Sequence, residues 1–113
     1  MRKELKNFLL VSPLALATLF IPSLLGSNQV LSSTLLFIMG LLMLCVDWRL
    51  KNFAFYFAML VGGPIAEAVA IYFGAWTYTN PIIIGVPIWL FFVWGNTGIY
   101  VVKLKELIYS FKR

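Results

Sequence analysis

The sequence predicts an all-α integral membrane protein, a four-helix up-down antiparallel bundle with both termini cytoplasmic. Three observations carry this. First, 62% of the 113 residues are hydrophobic and 12% charged, whereas a soluble domain is about half apolar and about a quarter charged. So few charges do not cover a water-facing surface. Second, four apolar runs each approach the roughly 20 residues that cross a bilayer. Third, the connectors are short, and basic residues occupy alternate ones.

The runs are Phe8–Leu25, Val30–Val46, Phe53–Phe73 and Ile82–Val102, within one domain spanning residues 1–113. They are joined by "GSNQ", "DWRLKN" and "GAWTYTNP". Connectors this short force neighbouring spans to run antiparallel. Asn80-Pro81 is a turn signal.

The cations set the orientation. Arg2, Lys3 and Lys6 precede the first span, Arg49 and Lys51 separate the second from the third, and Lys103, Lys105, Lys112 and Arg113 follow the fourth. Short loops rich in Lys and Arg stay cytoplasmic. Trp48 then falls at the inner interface, and Trp76 and Tyr78 at the outer one. The first span is expected to remain uncleaved, because no small-x-small site precedes "SNQV". The net charge of +5 is gathered on one side of the membrane. Topology and anionic lipid explain it without a nucleic-acid partner. In the tail "KLKELIYSFKR", Leu104, Leu107, Ile108 and Phe111 share a helical face. The tail reads either as a surface-lying helix or as the plain end of span four.

Several chemistries are excluded. The chain has no His and four acidic residues, scattered along its length, so neither a metal site nor a cofactor is expected. Cys45 is the one cysteine and reads as a small buried hydrophobe.

Span three carries a run of small residues four apart: Ala54, Ala58, Gly62, Ala66, Ala70 and Gly74. On a helix they form a ridge with almost no side chain. In lipid such a ridge lets backbones approach, so span three is expected to be the central helix, packed inside the bundle or on a second copy. Pro64 removes a backbone donor and predicts a kink near Leu60.

Within that span stands Glu67. A carboxyl at membrane depth is expensive and seldom idle. No Lys or Arg lies in a span to pair with it. In its neutral form it donates a proton or a hydrogen bond, the form that acid catalysis uses. Its readings are a structural bond fixing helix register, a catalytic acid or ligand contact, and a proton path. Asn96 and Thr97 on span four are its expected partners. The depth match depends on where span four begins: a start at Ile82 leaves Asn96 about 10 Å from Glu67 in depth, and a start at Pro87 about 3 Å. The second is favoured. Trp76, Tyr78 and Trp89 are candidate ligand contacts, since aromatic rings stabilise developing positive charge on a polyene or prenyl chain.

Glu67 followed by "YFGAWTYTNP" and "GVPIWLFFVW" resembles the core of the carotenoid hydratase and lycopene cyclase group of membrane enzymes, over about residues 63–96. The resemblance implies protonation of an alkene by Glu67, then capture by water or ring closure. Gly74, Trp76 and Tyr78 would form the loop, and Gly85 and Pro87 the start of the next helix. Two functions from different classes follow. One is a protein handling an isoprenoid or carotenoid-like lipid in an intramembrane cavity, with Glu67 as its acid. The other is a non-catalytic scaffold or assembly subunit that docks a partner or itself through the small ridge. An ion carrier ranks behind both.

Overall fold

The computed structural model describes residues 2–78 and 80–112. Thr79, in the third connector, and Arg113, in the basic tail, lie outside the described residues. The described chain forms four α-helices, α1 (Lys3–Leu25), α2 (Gln29–Val46), α3 (Leu50–Tyr72) and α4 (Trp89–Ser110), and no strand. The first three are long and apolar enough to cross a membrane.

Local chemistry sets the ends. Asn28 caps α2, its side-chain oxygen accepting from the Leu31 amide at 3.0 Å. Asn and Asp favour this position because they satisfy an orphan amide of the first turn. α3 ends at Gly74, whose φ of +84° is left-handed. The Ala75 amide reaches back to the Ala70 carbonyl and the Gly74 amide to that of Ile71, both at 3.0 Å. This is the reciprocal pair that closes a helix on a glycine. Gly74 is therefore a helix stop and not the last member of the small ridge. The fourfold spacing simply runs past the end of the helix.

The fourth helix begins at Trp89 and runs to Ser110, not over Ile82–Val102. Residues 82–86 form a tight reversal: Ile83 and Val86 pair across it, with Ile84 at φ +47° and Gly85 at φ +84°. Two successive positive φ values characterise a type I′ turn. Pro87 follows as the lead-in, its carbonyl accepting from Leu90 at 3.2 Å. The tail is the plain continuation of α4, with Leu107 and Ser110 buried.

α4, not α3, is the central helix. It packs against α1, α2 and α3, whereas the main neighbour of α3 is α4. Nine residues of α4 are buried, against four of α3. Glycines make the close approaches. A β-carbon on Gly95 would stand 2.7 Å from the Tyr56 ring, and one on Gly98 would stand 2.8 Å from Met59. Val11, Met43, Leu44, Tyr56 and Ile99 form the core, drawn from all four helices. α4 is also the helix outside the apolar set. Its polar residues Asn96 and Lys103 are buried, at 0% and 1% exposure. Ala54, Ala58, Gly62 and Ala66 lie exposed on the outer face of α3. Most of the small ridge thus faces outward, with Ala70 half-buried.

The chain ends meet at one end of the molecule, where Arg2 Nη1 donates to the Ser110 carbonyl at 2.7 Å. At the other end Gln29 straps two connections together. Its Nε2 donates to the Asn80 carbonyl, and its Oε1 accepts from the Ile88 amide, both at 2.9 Å.

Candidate functional site

Glu67 lies half-buried on α3, one turn beyond Pro64. The Tyr78 phenol donates to its Oε1, and the Trp94 indole Nε1–H donates to its Oε2. One carboxyl thereby joins α3, the α3–α4 connection and α4. Burial, and then the carboxyl beside it, push the Tyr78 phenol above its ordinary pKa. Trp94 is seated on Gly63, where a β-carbon would stand 2.1 Å from the indole. Trp94 was not among the expected partners, although a donor-only indole two residues before Asn96 was legible in the sequence.

Asn96 is not a partner of Glu67. Residues two apart on a helix point about 200° apart, so when Trp94 faces α3, Asn96 faces away. Its Nδ2 donates to Thr18 Oγ1 on α1 at 3.1 Å and to the Leu36 carbonyl on α2 at 2.9 Å. Gly40 makes room for it: a β-carbon there would stand 2.5 Å from Asn96 Oδ1. Thr97 donates to the Val93 carbonyl of its own helix at 2.7 Å.

Asn96 and Thr97 line a groove of about 390 Å³ between α1 and α4, together with Ala15, Leu16, Leu19 and Tyr100. The hydroxyls of Ser12, Thr18 and Thr97 on its wall are all given to carbonyls one turn back. The wall is therefore apolar in spite of its composition. Tyr78 and Trp89 meet edge to face, with centroids 6.0 Å apart. They line a different, more polar cavity of about 330 Å³ beside Pro22, Ser27 and Asn80. Trp76 lines neither; it is 46% exposed, with its side chain beside the Tyr78 phenol. The expected ligand contacts thus divide between two places, and Glu67 lines neither cavity.

A second charged centre lies at the end holding the termini. Lys103 is 1% exposed, with Nζ 2.6 Å from Asp47 Oδ2 and 2.9 Å from Glu106 Oε1. Lys51 meets Glu106 at 2.8 Å, and Arg49 Nε meets Asp47 at 3.0 Å. Asn52 donates to the Asp47 carbonyl at 2.7 Å. Burial raises the Asp47 carboxyl, but the bond to Lys103 and the charges of Lys103 and Arg49 outweigh it, and the net shift is downward. Glu106 behaves alike: burial raises it, while Lys51 and Lys103 bring it below its usual value. The sequence reading placed these cations as topology signals. The one trace of the network was the Lys103/Glu106 spacing of three.

Comparison with known proteins finds no matching family model, no matching curated protein and no matching solved structure.

Proposed function

We propose that the chain is an integral membrane protein crossing the bilayer four times as an up-down antiparallel bundle, with both termini cytoplasmic. We further propose that it holds one lipid chain in the groove between α1 and α4. Three apolar helices support the membrane reading. The orientation follows the cations, which gather where the termini and the α2–α3 turn meet. The observation that carries the lipid reading is the largely apolar groove, whose Ser12, Thr18 and Thr97 hydroxyls are already satisfied by their own helices. Such a wall accepts a hydrocarbon chain and offers little anchorage to a polar one. A prenyl or polyene chain is the member of this class that the resemblance implies.

The geometry favours holding over reacting. Glu67 meets Trp94 on the α3 side of α4, while the groove lies on the α1 side. Both its oxygens already have donors. Its role here is a latch. The test is an organic extract of the gently purified protein, read by absorption and mass spectrometry, wild type beside Ala15→Phe, which fills the groove. A lipid held by wild type and lost from the variant supports the reading. Bulk phospholipid alone in both, from folded proteins, rejects it.

A second reading, a scaffold docking through α3, draws on the exposed ridge. A β-carbon on Gly62 meets no atom within 4 Å, and small exposed faces are where membrane helices approach one another. Gly62→Leu and Ala66→Leu would then dissolve a complex while leaving the fold intact. A wild type that is monomeric in mild detergent would dismiss it.

A further inference from the structure

The charged end borders an open cavity of about 610 Å³ between the first turns of α1, the α2–α3 turn and the last turns of α4. Five cations and three carboxylates line it. Asp47 and Glu106 are taken up by Lys103, Lys51 and the Nε of Arg49. Among the described residues the terminal nitrogens of Arg49 make no hydrogen bond, and Lys3 makes no ion pair. Lys105 only overhangs the Tyr109 ring, 5.7 Å from its centroid. Glu4 is the remaining carboxylate of the wall.

A second observation is independent of charge. Asn7 is 9% exposed and lines this cavity. Within the described residues its side-chain amide makes no hydrogen bond. The amide is not sealed in protein, and the residue lines the cavity, so its polar atoms are open to a partner there. It adds N–H donors to the wall that also carries the Arg49 guanidinium fork, a combination suited to the oxygens of a phosphate group.

We propose that this cavity binds a phosphate group, with the Arg49 guanidinium and the Asn7 amide as direct donors and Lys3 and Lys105 supplying charge. Two sources carry that chemistry: the headgroup of an anionic phospholipid and a free phosphate compound. The headgroup is the source that the membrane reading places at this depth.

The experiment is native mass spectrometry of the full chain released from vesicles of equal phosphatidylglycerol and phosphatidylcholine. The wild type is expected to retain phosphatidylglycerol in preference. Arg49→Gln and Lys105→Gln are each expected to lower that retention about 5-fold, the effect of one basic residue at an anionic surface. Asn7→Leu lowers it with no change in net charge. Lys112→Gln, at the same end but outside the cavity, leaves it unchanged. A thermal melt of each variant confirms that it is folded. Displacement of the lipid by inorganic phosphate assigns the cavity to a free phosphate compound, and retention against it assigns the cavity to the headgroup. Equal retention of both lipids with no phosphate binding overturns the proposal. So does a preference that Lys112→Gln weakens as much as Arg49→Gln, or one that Asn7→Leu and Arg49→Gln both leave unchanged.

Discussion

The indole of Trp94 rests on the backbone of Gly63, leaving no space for a β-carbon between α3 and α4. The contact also aims the indole N–H at Glu67. Gly62, one residue earlier, faces open space. Alanine should therefore act in opposite directions at the two glycines. Gly63→Ala overpacks the interface and is expected to cost about 2 kcal/mol. Gly62→Ala gains helix propensity and is expected to be neutral or stabilising by up to about 1 kcal/mol. Thermal unfolding of the two variants in one detergent checks this. Equal melting temperatures would remove the claim that α4 sits on Gly63.

Glu67→Gln tests the latch. Glutamine keeps one acceptor for the indole and can donate its amide to the phenol oxygen, so the latch keeps its partners but exchanges two charge-assisted bonds for weaker neutral ones. The expected cost is about 1 kcal/mol. Glu67→Leu, which strands both donors, should cost more. Intrinsic fluorescence would report the freed Trp94. If lipid retention vanished in Glu67→Gln while stability held, Glu67 would belong to a ligand and not to a latch.

Lys103→Met replaces an enclosed cation by an apolar chain of similar length. It leaves Glu106 with Lys51, and Asp47 with Arg49 and a long bond from the Asn52 amide. Breaking a buried pair from one side is costly, and a loss of about 3 kcal/mol is expected. A Lys103→Met variant that melts with the wild type would show the network to be dispensable.

The same network makes stability depend on pH. Asp47 and Glu106 both titrate below their usual values in the folded chain. In the unfolded chain they take up protons near pH 4. Their contribution is therefore complete above about pH 5 and is lost as the pH falls through the lowered folded values. The melting temperature should be flat from about pH 5 to 8 and drop below about pH 4. Asp47→Asn with Glu106→Gln should lower the plateau and flatten the drop. An identical acid limb in that double variant would place the titration elsewhere.

Ile84 holds φ +47° with its side chain 54% exposed. A β-branched residue in this region is strained, while asparagine accepts it readily. Ile84→Asn is expected to stabilise by about 1 kcal/mol, read as a rise in melting temperature. A fall would mean that the isoleucine packs against something beyond the chain.

How much of this was legible depended on whether a residue's role is local. Apolar runs, caps and turn residues act within a few positions, so the first three segments and the Pro87 lead-in could be read directly, whereas the fourth apolar run took in the turn at 82–86 and stopped short of the helix end. Glu67 stood out because a carboxyl is costly anywhere in such a run. Its partners did not, because they depend on how α4 is rotated. A shift of two residues exchanges Trp94 for Asn96 and turns the polar atom from α3 to α1. The ridge misled for a related reason. Small residues permit contact but do not require it, and the glycines that make the contact, Gly63, Gly95 and Gly98, form no comparable repeat. Lys103 was read by its sign alone, and sign does not reveal enclosure.

The enclosure of Lys103 and Asn96 also bears on biogenesis. A segment with a lysine and an asparagine on its inward faces gains little by entering lipid alone. It becomes acceptable to the bilayer once Asp47, Thr18 and the Leu36 carbonyl stand ready to receive those groups. All three belong to segments made earlier in synthesis. On the membrane reading, the last helix is thus a late joiner, drawn in by a receptor that its own chain has already assembled. A chain truncated before α4 would leave that receptor open for a separately supplied α4 to complete.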